Sequence, residues 1–120
     1  MMDKHLLKGE LAERLALEYL QNRSLKLMAN NWRCPRGEID LIMLDQKTLV
    51  FIEVRYRKQT TWGLPSETIT LAKRHKIIMA AQLFLQKNKQ WLINPCRFDV
   101  ISITGNISKQ SDIQWLTNVF

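Results

Sequence analysis

Residues 37–57, GEIDLIMLDQKTLVFIEVRYR, constrain the fold more than any other stretch of the chain. Two short apolar runs flank Gln46-Lys47, and runs of that length on either side of a turn read as paired strands. Alternation puts Glu38, Asp40, Ile42 and Leu44 on one face of the first strand. Leu49, Phe51, Glu53 and Arg55 share one face of the second. Whether the loop holds two residues or four, Leu44 then faces Leu49, Ile42 faces Phe51, Asp40 faces Glu53 and Glu38 faces Arg55. Directly opposed Cβ atoms lie about 4.5–5.5 Å apart. Two carboxylates are therefore predicted side by side on a face that is apolar toward the turn.

Like charges placed opposite each other destabilise a sheet, and more so when water is partly excluded. One acid can hold a proton, a basic side chain can sit between them, or a divalent cation can bridge them. Mg²⁺ or Mn²⁺ suits the last case, because each is a hard ion that takes carboxylate oxygen and keeps several waters. Arg55, Lys73 and Arg97 are the candidates for a basic partner. Hairpin geometry alone leaves the ion pair and the metal equally weighted.

The rest of the chain supplies a setting. At 120 residues it has room for one domain, residues 1–120, and one core. A helix is expected from Lys8 to Asn22, where Leu11, Ala12, Leu15, Ala16, Tyr19 and Leu20 make one apolar face. A first strand is expected from Ser24 to Arg33. Gly63 and Pro65 mark a loop from Thr60 to Thr70, with Ser66 and Glu67, or Thr68, as helix cap. A second helix then runs from Ile69 to Asn88, and Asn94-Pro95 ends that unit. Cys96 to Thr104 alternates as a strand, and IQWLTNVF closes the chain as a strand or short helix. This order implies an α/β fold with a mixed central sheet flanked by helices.

Charge points to the partner. Eighteen Lys+Arg against eleven Asp+Glu leave a net charge of +7, which favours a polyanion, with nucleic acid ahead of an anionic membrane. No basic amphipathic helix with an aromatic face stands out, so no membrane partner is expected. No apolar run reaches the ~18 residues of a spanning helix, and MMDKHLLKGE lacks a signal-peptide core. The cytoplasm is the expected compartment. Cys34 and Cys96 have no zinc-site spacing and read as reduced, partly buried thiols.

An acid on one strand, followed on the next by an acid, any residue and a basic residue, resembles the PD-(D/E)xK nuclease superfamily. One branch is closer. Gly9 and Glu13, Tyr19-Leu20, Asn31-Trp32-Arg33, GEIDLI from Gly37, VFIEVR from Val50, Lys73, Cys96-Arg97-Phe98-Asp99 and Ile113-Gln114-Trp115 resemble the YraN-like family. That family comprises small bacterial predicted endonucleases similar to archaeal Holliday-junction resolvases. The resemblance covers almost the whole chain. It implies a restriction-endonuclease-like fold and metal-dependent hydrolysis of phosphodiester bonds, with branched or structured DNA favoured over RNA. The alternative is a nucleic-acid-binding module that keeps the fold without cleaving. The related resolvases work as dimers, which suggests a homodimer here.

The resemblance also assigns roles. Asp40 and Glu53 would hold Mg²⁺ or Mn²⁺, with the Val54 carbonyl as a third ligand. Glu13 would be the helical acid at the site, with Glu10 the competing choice and a solvated helix charge the bland reading. Glu38 reads as a structural partner of Arg55. Arg55 stands where the superfamily has a lysine. A guanidinium does not give up its proton and so cannot act as a base, but its fork of donors suits a scissile phosphate. Lys73 and Lys76 read as phosphate contacts or as a solvated basic face. Arg57, Lys58 and Trp62 would lie along a nucleic-acid backbone, with Trp62 stacking on a base or packing under its loop. Asp99 reads as a structural partner of Arg97.

Overall fold

The computed structural model describes residues 4–57, 69–106 and 110–120. Helix α1 (Lys4–Gln21) leads into a meander of β1 (Lys26–Cys34), β2 (Gly37–Asp45) and β3 (Thr48–Arg57). Helix α2 (Leu71–Lys87) and a 3-10 turn (Lys89–Trp91) follow, and then β4 (Cys96–Asn106) and β5 (Gln110–Leu116). The strands form one mixed sheet in the order β1-β2-β3-β4-β5. Among the described strands only β3 and β4 run parallel. Parallel neighbours need a long crossover, and α2 lies within it. Neither helix is long and apolar enough to cross a membrane.

Strand β3 is central, and its residues from Leu49 to Glu53 are all buried. A strand covered on both faces reads as a continuous apolar run, which is what LVFI presents. On one face, Ala12, Ala16 and Leu20 of α1 pack with Met43, Val50 and Ile52. On the other, Ile77, Ala80 and Phe84 of α2 pack with Ile42, Leu49 and Phe51. Alanines at the contact stripes let both helices approach the sheet closely. Aromatic rings extend the second layer, with Phe98 stacked between Phe51 at 5.4 Å and Phe120 at 4.9 Å.

The last element is a strand, one of the two forms expected; β5 spans Gln110–Leu116 and runs antiparallel to β4. Several ends differ from expectation. Helix α2 starts at Leu71, and its N-cap is Thr70 rather than Ser66, Glu67 or Thr68. The Thr70 hydroxyl accepts from the Lys73 amide at 3.1 Å, satisfying one of the free N–H groups of the first turn. Helix α1 ends as Ser24 takes a left-handed φ of 72° and the Leu25 amide folds back onto the Leu20 carbonyl at 3.1 Å. The β2–β3 loop holds two residues, closed by the Asp45–Thr48 pair, with Gln46 at φ 56°. Both cysteines are free thiols, but only Cys34 is partly buried; Cys96 is exposed.

Gly37, which opens β2, has a specific steric duty. A Cβ there would come within 3.2 Å of the Lys76 carbonyl oxygen, and φ is 158°. The start of β2 therefore lies directly against the first turns of α2.

Candidate active site

The expected hairpin register holds from the turn to Leu41–Ile52, with Leu44 facing Leu49 and Ile42 facing Phe51. The ladder ends there, one residue short of Asp40 and Glu53. Ile39 joins Ile42 in the α2 layer, whereas Leu41 and Met43 belong to the α1 layer. Strict alternation would have kept residues 39, 41 and 43 together, so the pleat of β2 breaks at Asp40. In place of a backbone bond, the Val54 amide donates to Asp40 Oδ2 at 2.8 Å. Within a strand, the N–H and C=O of one residue leave on the same edge. The Val54 carbonyl therefore also points into the gap that opens between β2 and β3.

Two acids border that gap. Glu53 is 7 % exposed, and Asp40 is half-buried. Burial, and next the charge of Glu53, push the Asp40 carboxyl up to about 8, against the opposing pull of the Val54 hydrogen bond. Glu13 and Glu38 raise it further. Glu13 itself is raised by burial, while a hydrogen bond from the Asn31 side chain lowers it. The helical acid expected from α1 therefore does reach the neighbourhood of Asp40.

The counter-charge comes from α2. Lys73 Nζ lies 2.7 Å from Glu53 Oε1, and its side chain remains 41 % exposed. Of the three basic partners considered, Lys73 is placed against the acid pair, at Glu53. Arg97 instead sits toward the turn end of the sheet, on Asp45 at 2.9 Å and on Asp99 at 3.1 Å. Asp99 is almost fully buried and also accepts from Trp115 Nε1 at 2.9 Å and the Asn118 amide at 2.8 Å. This acid is structural, tying β5 and the chain end to β4. Glu38 lies beyond the end of the β2–β3 ladder. It is ion-paired at 3.3 Å with Arg33, its register partner on β1. Arg55 and Arg57 are half-buried on the last part of β3, and Lys76 is exposed on α2. Lys58 and Trp62 lie outside the described residues.

Among the described residues, no group of three or more His, Cys, Asp and Glu side chains is gathered tightly enough to hold a metal ion. What converges is two carboxylates and one backbone carbonyl, all hard oxygen donors. This set fits an ion that keeps part of its water shell, such as Mg²⁺ or Mn²⁺. The Lys73 ammonium supplies positive charge at Glu53, and the burial that raises the Asp40 carboxyl favours its neutral form beside Glu53.

One feature of the site escaped sequence reasoning. A cleft of about 350 Å³ lies between α1 and the β1–β2 ribbon, where Glu10, Glu13, Arg14 and Leu17 face Asn30 and Asn31. The available signal was Asn30-Asn31 within a strand, a residue type that strands disfavour. Asn31 has a left-handed φ of 50°.

A mixed five-stranded sheet with one helix on each face, carrying acids on two adjacent strands, is compatible with the restriction-endonuclease-like class. The chain belongs to the family described as uncharacterised protein family UPF0102, the YraN family, whose model matches residues 12–103. A UPF0102 protein of Pseudomonas fluorescens is 53 % identical over 116 residues, which is 97 % of this chain and 94 % of that protein. One from Stutzerimonas stutzeri is 48 % identical over 93 % of this chain and 92 % of its own length.

Proposed function

We propose that this chain is a metal-dependent nuclease that hydrolyses phosphodiester bonds in branched or otherwise structured DNA. The observation that carries this reading is the pairing of Asp40 with Glu53 where β2 and β3 separate, with the Val54 carbonyl directed into the same gap. Asp40, Glu53 and Val54 would hold the Mg²⁺ or Mn²⁺ ion. When bound, the ion supplies Lewis acidity toward the phosphodiester and neutralises its charge.

The chain's own residues do the rest. Glu53, freed from Lys73, becomes available as a ligand, and the released ammonium is close enough to the site to take a phosphate oxygen. Arg55 holds phosphate through its fork of donors. Glu13 adds an acceptor beside Asp40. Arg57, Lys58, Trp62 and Lys76 extend the contact along the backbone. Such an interface reads shape more than sequence. A homodimer would let two sites make the paired cuts that a junction needs.

A second reading, a nucleic-acid-binding module without cleavage, draws support from the 2.7 Å Lys73–Glu53 ion pair, which already satisfies one acid. The deciding experiment compares wild type with Asp40→Asn, purified in parallel, on junction, flap and single-stranded DNA and on RNA, with Mn²⁺ present. Cleavage by wild type alone is expected. Equal activity of both preparations, or none from either, refutes the nuclease reading. Salt-dependent binding without cleavage supports the second.

A further inference from the structure

The cleft beside α1 has a lining unlike that of a phosphate site. Glu10 and Glu13 line it with Arg14, so two carboxylates outnumber one guanidinium and disfavour a phosphodiester. The same carboxylates accept hydrogen bonds from exocyclic amino groups, as acidic side chains do with cytosine N4. Asn30 supplies an amide, which presents a donor and an acceptor in one plane and matches the edge of adenine, while the Asn31 amide donates to Glu13. Leu17 and Leu41 supply apolar surface for the face of a ring. A volume of about 350 Å³ lies at the low end of small-molecule pockets. That is room for one nucleoside.

Position links the cleft to the acids. Leu41 follows Asp40 directly in β2, and Glu13 borders the cleft while its charge acts on Asp40. A base seated here leaves its sugar-phosphate outside, next to the gap between β2 and β3.

We propose that this cleft receives one unpaired, amino-bearing base of the strand to be cut, so that an extrahelical nucleotide sets the bond presented to Asp40 and Glu53. The setting rests on the nuclease reading above, but binding can be read without cleavage. The cleft selects adenine or cytosine over thymine, which lacks the amino group, and over an abasic position, which lacks the ring. It also gives a physical reason for preferring structured DNA, since a perfect duplex offers no free base.

The test is fluorescence anisotropy in EDTA with duplexes carrying a single bulged adenine, cytosine, thymine or abasic nucleotide. Wild type should bind the adenine and cytosine bulges about tenfold more tightly than the abasic one, the yield of one well-made set of base-edge hydrogen bonds. Asn30→Trp, at an exposed position of the edge strand, fills the cleft and should bring all bulges to the abasic affinity. Thermal melting confirms that the variant is folded. Equal affinity of wild type for adenine and abasic bulges overturns the proposal, as does a preference that survives in the folded variant. A parallel Mn²⁺ cleavage assay separates the two readings. Base preference without cleavage overturns the nuclease and supports the cleft, and cleavage without base preference does the reverse.

Discussion

Replacing Lys73 by Met tests the electrostatics of the site directly. The variant keeps the aliphatic stem, leaves the backbone amide on its Thr70 cap, and removes the ammonium that lies 2.7 Å from Glu53. Glu53 is then a buried carboxylate beside Asp40 with that cation gone. Breaking a fully buried ion pair from one side costs about 3–5 kcal/mol, and an exposed pair is worth about 0–1 kcal/mol. With Glu53 enclosed and the Lys73 side chain 41 % exposed, the pair lies between those limits. A loss of about 2 kcal/mol is expected, or roughly 8 °C in Tm for a domain of this size. The second readout has the opposite sign. Lys73 competes with any cation for Glu53, so Lys73→Met should bind Mn²⁺ about tenfold more tightly by calorimetry, a gain of about 1.4 kcal/mol. Saturating Mn²⁺ should also recover most of the lost Tm. A variant as stable as wild type that binds Mn²⁺ no better would refute the reasoning, because Lys73 would then be a solvated charge.

Asp40 predicts a pH dependence. Its carboxyl is raised to about 8 in the fold, against about 3.9 in an unfolded chain, so the native state binds the proton more tightly. Stability from this group is full below about pH 4 and is lost as pH rises to about 8. Urea unfolding should show wild type losing on the order of 3 kcal/mol across that window relative to Asp40→Asn, and parallel curves would refute it. Trp115→Phe removes one of the donors that hold buried Asp99 and should cost about 1 kcal/mol in the same assay; Asp99→Ala should cost about 3 kcal/mol or more, because Arg97 and two further donors lose their acceptor. Gly37→Ala places a methyl 3.2 Å from the Lys76 carbonyl at an unfavourable φ and should cost about 1–2 kcal/mol; an unchanged Tm would show that α2 yields there freely.

Much of this architecture is legible in the residues, for local reasons. The two-residue turn and the β2–β3 register follow from period-2 alternation, which is strict wherever both layers must be filled, as from Leu41 to Asp45 and from Thr48 to Ile52. Alternation fails at Asp40, because β2 there leaves β3 while staying paired to β1, with Trp32 opposite Ile39 and Arg33 opposite Glu38. A strand that must satisfy two diverging neighbours twists, and no residue type announces that twist. The cap of α2 was misplaced because several capping residues crowd the segment, and only the contact of Thr70 with Lys73 decides among them. Lys73 could be named as a candidate cation but not chosen over Arg97, since the choice depends on how α2 docks. The cleft was illegible because it is a property of helix–sheet spacing, not of any run of residues.

The acids of the site and their cation come from parts of the chain that fold on different terms. Asp40 and Glu53 belong to one tight hairpin, a local structure that forms on the microsecond scale. Lys73 arrives only when α2 has settled on the sheet and β4 has aligned beside β3, a non-local step. During assembly, then, the hairpin brings its carboxylates together before their partner is present. Acidic pH or a divalent ion should therefore speed the rate of refolding, so that the chemistry kept for a substrate also acts, earlier, as a folding aid.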